Sequence, residues 1–443
     1  MTNLAFQRKK FPHLTDEEFR FMVQQEEGRA RLRDKLPTLV EQADWWFPPR
    51  LACEQCSSEL TATYKAALIR QHYTPSPSLC REGRGGSFID LTGGYGIDSF
   101  YLSAFATEAH YVEQDPELCR IAAHNFARTR PHLQMHNTTA EEFLRTLPDA
   151  NNKDNENNEN NVLIYLDPAR RDTHGGKVFR IEDCTPNIID LLPLLQQKST
   201  VLMIKLSPML DITAALRSLG EGWQVHVVAV RNEVKELLFV KSIPQLQQDP
   251  PHPSLRREGV RLPSTVDSNL HTLPLCWGSW RVSDVLGGSY TAANYAHEHW
   301  QTLTFTLQQE QEAQVSYWNL QHTPRYLYEP NAAILKAAAF RFVSENYRIS
   351  KLAPNTHLYA ADHLLSDFPG RVWEVIAPLT SSMLKHLPET LQEQGASILT
   401  RNYPLSPDQL RKKLKLRDSA TQTIIGVRVA DKPTLFWSRR IIG

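Results

Sequence analysis

Three glycines crowd into four positions of the stretch SFIDLTGGYGIDSFYL, residues 87–102. They are Gly93, Gly94 and Gly96, and glycine lets the backbone approach a ligand closely and adopt a positive φ without strain. The apolar run before them predicts a short buried strand, and the run after them predicts a helix that starts near Ile97. A strand, a glycine turn and a helix N-terminus together predict a site of nucleotide size at the carboxyl edge of a parallel sheet.

Acidic side chains around this turn narrow the choice of ligand. The turn holds Asp90, Thr92 and Asp98, and it matches neither the dinucleotide pattern G-x-G-x-x-G nor the phosphate pattern G-x-x-x-x-G-K-[ST]. Carboxylates at this place repel phosphate and favour an ammonium group. A second predicted strand ends in Glu113, which is placed to hydrogen-bond ribose hydroxyls. A ligand with an adenosine ribose, a free amino group and no phosphate is S-adenosyl-L-methionine.

A third element, VLIYLDPARR, is a predicted buried strand that ends in Asp167 and Pro168. In this order, the three elements resemble motif I, the motif II acid and motif IV of the class I methyltransferases. The resemblance implies that Asp167 and Pro168 face the methyl acceptor. Thr139 falls where that superfamily often has an acid near the adenine. The residues that the resemblance assigns to the cofactor are Asp90, Thr92, Gly93, Gly94, Gly96, Asp98, Glu113 and Thr139.

The residues around Asp167 limit the acceptor chemistry. Enzymes that methylate adenine amines resemble D/N-P-P-[YFW], whereas an alanine and two arginines follow Asp167-Pro168 here. The next strand, VLMIKLSPML, has no cysteine for covalent activation of a pyrimidine. Arg170 and Arg171 suit a phosphate or carboxylate on the acceptor. Lys205 is either a phosphate contact or a charge at the rim of the sheet.

Alternating strands and helices must position these residues. We predict strands near 87–91, 109–113, 132–136, 162–166, 200–206, 224–230 and 237–241. The last two are close enough in the chain for a hairpin rather than a crossover. The expected fold is therefore α/β, with a Rossmann-like seven-stranded sheet of the class I methyltransferase type over residues 81–245. Residues 1–80 are predicted to form an N-terminal helical region.

Beyond residue 245 the pattern changes. Residues 246–275 are predicted to be a linker, 276–324 a small α+β segment, and 325–443 a further α+β module. The segments EQCSSELTATYKA, DLTGGYGID, LDPARRD, IKLSP and RYLYEPNAAILKA, in this order, resemble a group of bacterial class I methyltransferases. That group carries a ferredoxin-like segment, assigned here to 276–324, and a C-terminal THUMP-like domain, assigned to 325–443.

The THUMP-like resemblance implies RNA binding by analogy. Arg411, Lys412 and Lys413 lie on a predicted helix of the last module, where acids are sparse, and they predict a basic face for RNA. The alternative is an ordinary solvated helix face. Two other functions stay open: methylation of a protein or small molecule, and ligand binding without catalysis.

Two kinds of segment interrupt these patterns. PSLCREG at 77–83 recurs as PSLRREG at 253–259, and 149–161 is a polar tract rich in asparagine. We interpret the two repeated segments as inserted surface loops, because neither has the periodicity of a helix or strand. The asparagine-rich tract is predicted to be a disordered loop, because it cannot form a core. A basic loop that contacts the substrate is the alternative for the repeated segments.

Composition excludes several classes of protein. The 443 residues include 49 basic and 49 acidic side chains, so any nucleic-acid affinity must come from a local patch. No apolar run is long enough for a membrane span, and the N-terminus lacks the apolar core of a signal peptide. Cys53 and Cys56 form a C-x-x-C without a second pair at zinc spacing, which favours two ordinary helix cysteines. We expect a cytoplasmic protein without a metal site.

Overall fold

The computed structural model describes residues 8, 10–73, 86–150, 162–170, 180–243, 288–319 and 321–442. The chain divides into two compact units, Met1–Trp223 with Leu237–Gly278, and Gln224–Glu236 with Ser279–Gly443. The predicted linker, both PSLxREG segments, most of the asparagine-rich tract and Arg171 lie outside the described residues.

Helices form the N-terminal part of the first unit, as predicted. They are α1 (Asp16–Leu32), α2 (Pro37–Val40), α3 (Arg50–Gln55) and α4 (Glu59–Tyr73). A capping box of Thr15 and Glu18 starts α1. The hydroxyl of Ser58 accepts a hydrogen bond from the amide of Thr61 at 3.2 Å, so α4 begins as a helix separate from α3.

The described parallel strands of the first unit appear where the sequence predicts them. They are β1 (Ser87–Asp90), β2 (Glu108–Val112), β3 (Leu133–His136), β4 (Val162–Leu166) and, after the short pair β5 (Ala169–Arg170) and β6 (Cys184–Thr185), β7 (Val201–Leu206). The intervening helices are α5 (Ile97–Leu102), α6 (Pro116–Thr129), α7 (Ala140–Thr146) and α8 (Ile188–Lys198), and α9 (Ile212–Leu219) follows β7. The parallel order is β7-β4-β1-β2-β3.

The predicted hairpin after α9 is also present in the chain. Arg231 and Asn232 both have positive φ, 51° and 63°, which suits the two-residue turn between β8 (Gln224–Val230) and β9 (Glu233–Ser242). β9 runs antiparallel to β7 in the first unit. The α/β fold class with a class I methyltransferase sheet is therefore confirmed.

Part of the predicted segment 276–324 is described in the second unit. Within this unit, β10 (Ser289–Ala296) pairs parallel with β8 and antiparallel with β11 (His299–Thr306). Within the second unit, both strands therefore belong to one sheet with β8. Pairing covers an edge of β8 that would otherwise leave backbone groups unpaired, and local sequence patterns do not show such a long-range choice.

A second sheet, with seven strands, forms the rest of the second unit. Its order is β13-β14-β12-β15-β18-β17-β16. The strands are β12 (Tyr326–Pro330), β13 (Ser350–Ala353), β14 (Thr356–Ala361), β15 (Gly370–Pro378), β16 (Ser397–Arg401), β17 (Thr423–Val429) and β18 (Lys432–Ile442). Its core holds the buried side chains of Leu327, Leu358, Trp373 and Ile425.

Short helices accompany this sheet. They are α10 (Leu307–Glu312), α11 (Ala332–Ala337), α12 (Phe340–Asn346), α13 (Ser381–Lys385), α14 (Glu389–Gln394) and α15 (Pro407–Leu414). Ala338, which has a φ of 61°, separates α11 from α12. Pro388 precedes α14 and separates it from α13. Among the described residues, no helix is both long and apolar enough to cross a membrane.

Candidate active site

The glycine turn after β1 needs glycine for two different reasons. Gly94 and Gly96 have φ values of 56° and 86°, which other residues rarely adopt. Gly93 lies so close to Tyr111 that a Cβ would approach the ring to 2.2 Å. The Tyr111 hydroxyl also donates to the carbonyl oxygen of Gly94 at 2.6 Å. Tyr111 therefore shapes the turn from the neighbouring strand.

Asp90 organises the same turn from inside. Its carboxylate is buried and accepts hydrogen bonds from the amide of Thr92 at 3.0 Å and the hydroxyl of Ser99 at 2.5 Å. Burial raises the pKa of Asp90 to about 7, although both hydrogen bonds act in the opposite direction. The structure thus shows Asp90 holding the turn together, and its predicted contact with a cofactor remains a prediction.

Glu113 follows β2 and reaches the glycine turn. One carboxylate oxygen accepts the amide of Gly94 at 2.7 Å, and the other accepts the amide of Asp115 at 2.8 Å. Glu113 is only partly buried, and each oxygen can accept a second hydrogen bond. The contact of Glu113 with a ribose remains a prediction.

A direct hydrogen bond joins the predicted cofactor turn to the predicted acceptor residues. The amide of Asp167 donates to the hydroxyl of Thr92 at 2.6 Å. Pro168 is buried next to it, whereas the Asp167 side chain is 36% exposed. β1 and β4 are parallel neighbours, so their ends lie side by side. The hydrogen bond connects these two ends.

Asp98, the second acid of the turn, lies in a buried cluster of polar groups. Its carboxylate accepts hydrogen bonds from the hydroxyls of Ser57 and Tyr165, each at 2.7 Å, and lies 3.1 Å from the ammonium of Lys65. Burial opposes ionisation of Asp98, but Lys65, Lys205 and the two hydrogen bonds together hold its pKa below the usual value. Asp98 was predicted as a cofactor ligand, and here its carboxylate is bound by protein groups.

Lys205 extends this cluster toward the surface. Its ammonium forms an ion pair with Asp167, donates to the hydroxyl of Ser57 at 3.2 Å and lies 3.8 Å from Asp98. The Lys205 side chain is only 12% exposed. Lys205 is therefore part of an internal ion-pair network in this structure, rather than a charge at the rim of the sheet.

Not every predicted residue joins this site. Thr139 caps α7 by accepting the amide of Glu142 at 3.2 Å, so its place near an adenine remains a prediction. Arg170 contributes backbone to β5, which pairs with β6. The sequence did not predict Ser57 and Lys65 as site residues. Their only signal was the unusual density of polar side chains between residues 52 and 71, where a lysine occupies a helix.

The thiols of Cys53 and Cys56 are less acidic than a free thiol. Burial raises the pKa of Cys53 to about 11 and also raises the pKa of Cys56. Such thiols stay protonated and unreactive near neutral pH. Within the described part of the chain, no group of three or more His, Cys, Asp or Glu side chains is placed to bind a metal ion.

The predicted basic residues of α15 differ in their surroundings. Arg411 donates to the carbonyl of Ala396 at 3.2 Å and to the carboxylate of Asp418 at 2.8 Å. Lys412 and Lys413 are exposed. Arg411 therefore stabilises the local fold, and Lys412 and Lys413 are the exposed members of the predicted set.

Comparison with solved structures gives a match over nearly the whole chain. A proposed methyltransferase from Porphyromonas gingivalis is 30% identical with a TM-score of 0.73, and the match covers 96% of this chain and 92% of that chain. A ferredoxin-like domain family matches residues 326–369, and a THUMP domain-like family matches residues 370–440. The search of curated proteins found no match.

Fold and comparison together define a class I methyltransferase fold joined to ferredoxin-like and THUMP-like domains. The chain belongs to the family of the P. gingivalis protein. The ferredoxin-like match lies after the segment 276–324 that was predicted for it, and the THUMP-like match begins at 370 instead of 325.

More distant structures cover only part of the chain. A proposed RNA methyltransferase from Pyrococcus horikoshii is 13% identical, with a TM-score of 0.29, and the match covers 49% of this chain and 98% of that chain. A 16S rRNA methyltransferase from T. thermophilus, in complex with AdoMet and guanosine, is 17% identical, with a TM-score of 0.28, and the match covers 41% and 43%. These scores are too low to support an argument about function.

Proposed function

We propose that this protein is an S-adenosyl-L-methionine-dependent methyltransferase that acts on RNA. The observation that carries the proposal is the 2.6 Å hydrogen bond between the Asp167 amide and the Thr92 hydroxyl. Methyl transfer requires the sulfonium and the acceptor atom to be aligned, and this bond holds the two predicted halves of the site together. The chain's membership of the family of a proposed methyltransferase supports the coarser conclusion of methyl transfer.

The proposed cofactor site combines backbone and carboxylate groups. The turn of Gly93, Gly94 and Gly96 lies against the methionine end of the cofactor, and Asp90 keeps that turn in shape. Glu113 accepts hydrogen bonds from the ribose hydroxyls, and Thr139 lies toward the adenine. The bound cofactor supplies an activated methyl group on its sulfonium, so the protein needs only to position the two reactants and remove a proton.

The proposed acceptor side is formed by Asp167 and Pro168. The partly exposed carboxylate of Asp167 orients the acceptor, and the ion pair with Lys205 fixes its direction. Pro168 restricts the backbone that follows β4. Arg170 and Arg171 follow in the chain as contacts for a phosphate of the substrate.

RNA is proposed as the substrate because of the second unit. Its THUMP-like match covers residues 370–440, and two adjacent exposed lysines, Lys412 and Lys413, lie in the last turn of α15. Clustered exposed cations on a chain without net charge favour binding to phosphate backbones.

The test is transfer of labelled methyl from S-adenosyl-L-methionine into a bacterial cell extract, followed by separate digestion with ribonuclease and protease. We expect the label to be released by ribonuclease. Release by protease alone would show a protein methyltransferase, and label in the low-molecular-weight fraction would show a small-molecule substrate. Cofactor binding without any incorporation would instead support the non-catalytic alternative.

A further inference from the structure

Four charged side chains form an alternating chain between the interior and the candidate acceptor site. Lys65 lies 3.1 Å from Asp98, Asp98 lies 3.8 Å from Lys205, and Lys205 contacts Asp167. The exposed fractions of these side chains rise along the series, being 0%, 9%, 12% and 36%. Only the last member is open to a substrate, so the other three form a buried support behind it.

The hydroxyl of Ser57 contacts three of these four side chains. Ser57 donates to Asp98 at 2.7 Å and accepts from the ammonium groups of both Lys65 and Lys205, each at 3.2 Å. Ser57 and Lys205 are 148 residues apart in sequence. The N-terminal helical region therefore reaches the end of β7 through one buried side chain.

Local structure explains why Ser57, and not its neighbour, takes this position. Ser58 is the cap of α4, since its hydroxyl accepts the amide of Thr61. Ser57 precedes the cap in the break between α3 and α4, where it is 7% exposed. Two adjacent serines thus have different roles, one in starting the helix and one in the ion-pair network.

The energetics make this arrangement rigid. A fully buried ammonium such as that of Lys65 is stable only when it is paired and hydrogen-bonded, and loss of one partner from a buried pair is strongly destabilising. Tyr165 adds a further hydrogen bond to Asp98. Each member consequently restrains its neighbours, and little freedom remains for the ammonium of Lys205.

We propose that Ser57 and Lys65 are positioning residues for methyl transfer, which act by fixing Lys205 and thereby the direction of the Asp167 carboxylate. This proposal rests on the proposed function of Asp167. The N-terminal helical region is then part of the catalytic apparatus, because it supplies the buried end of the network that holds the acceptor group. Preorganisation of this kind affects the rate of the reaction more than binding of the cofactor.

The test compares Ser57→Ala with Ser58→Ala in the full-length protein. Methyl transfer to bulk bacterial RNA is measured together with the dissociation constant of S-adenosyl-L-methionine. We expect Ser57→Ala to lower kcat by about tenfold while cofactor affinity stays within about twofold. Ser57→Thr keeps a hydroxyl and should recover most of the rate. Ser58→Ala loses a helix cap without touching the network, so it controls for a general loss of stability.

The proposal is overturned if Ser57→Ala and Ser58→Ala have the same kcat, or if cofactor affinity and kcat fall together. A crystal structure of the Ser57→Ala protein tests the proposal without a measurement of activity. We expect the ammonium of Lys205 to leave Asp167 in an otherwise unchanged fold, and an unchanged contact would also overturn the proposal. If the wild-type protein transfers no methyl group, the proposed function fails, and the crystal structure still tests the network.

Discussion

Individual residues of the glycine turn carry the clearest physical constraints in this protein. Asp90 is an ionisable group in a fully buried position, and its role follows from the two hydrogen bonds that it accepts. Gly93 is required by the ring of Tyr111, whereas Gly94 is required by its own backbone angle. These are different physical causes, and they lead to different expected results.

Asp90 should make stability depend on pH. Its pKa rises from 3.8 to about 7 on folding, so between these values the folded chain holds a proton that the unfolded chain has released. Stability must therefore fall as pH rises through this range, and Asp90→Asn should remove that loss. Between pH 5 and pH 8 we expect the free energy of unfolding of wild type to fall by about 2 to 3 kcal/mol relative to that of Asp90→Asn.

Urea unfolding at the two pH values measures this difference. Glu117→Gln, an exposed carboxylate of the same unit, controls for the loss of one acid. If the free energy of unfolding changes equally with pH in wild type and in Asp90→Asn, Asp90 is ionised at both pH values and the prediction is wrong.

Alanine at Gly93 should be worse than alanine at Gly94. A Cβ at Gly93 would collide with Tyr111, while a Cβ at Gly94 meets nothing closer than 3.9 Å. We expect a loss of about 3 kcal/mol for Gly93→Ala from overpacking and about 1 kcal/mol for Gly94→Ala from its left-handed backbone. Thermal unfolding of the two variants ranks their losses of stability. Adding Tyr111→Ala to Gly93→Ala should cost less than the sum of the two single changes, and simple additivity would contradict the clash.

At the scale of elements, the site is made by the ends of adjacent parallel strands. β1, β2 and β4 are neighbours in one sheet. Their ends therefore bring the glycine turn, Glu113 and Asp167 to the same edge. Hydrogen bonds from Gly94 to Glu113 and from Asp167 to Thr92 then connect the three ends.

Glu113 lies at the end of one of these strands, and its replacement should weaken cofactor binding. Glu113→Ala removes the proposed ribose ligand and also the acceptor for the Gly94 amide, so we expect cofactor affinity to fall at least about tenfold. Calorimetric titration with S-adenosyl-L-methionine measures this affinity. Glu117→Gln, on the nearby helix α6, is the control for lost negative charge. Unchanged affinity in Glu113→Ala would refute the ribose assignment.

For the whole molecule, the proposed functions divide between the two units. The cofactor turn and the ion-pair network lie in the first unit, and the ferredoxin-like and THUMP-like matches lie in the second. A chain without net charge needs a local patch to bind nucleic acid. Lys412 and Lys413 are the exposed cations of α15 that can form such a patch.

Reversing these two charges should weaken RNA binding. For Lys412→Glu with Lys413→Glu, we expect lower affinity for bulk RNA and a slope of log affinity against log salt that is shallower by about 1 to 2. Arg411 is left unchanged because it is bound to Asp418.

Filter binding over a series of salt concentrations measures both quantities. Arg128→Glu with Arg145→Glu makes the same change of charge on exposed residues of the first unit. An equal loss of affinity in both variants would show a general effect of charge, and no loss in either would remove α15 from the RNA surface.

The sequence alone determined the elements whose causes are local. Apolar runs of strand length, the glycine turn and the acid after the second strand are encoded within a few residues, so β1 to β4, β7 to β9 and the edge that holds Glu113 and Asp167 could be predicted. The family group could be inferred as well, because its segments follow in order along the chain, and the comparison confirms it.

Only the tertiary structure decided which distant groups meet. The pairing of β8 with β10 joins strands that are far apart in the chain, and no periodicity specifies a partner across such a distance. Ser57 and Lys65 read as polar residues of a helix until folding buries them against Asp98 and Lys205. Burial converts ordinary surface chemistry into a fixed network, since a charge removed from water must find a partner. That physical requirement acts in three dimensions and leaves little trace in local sequence.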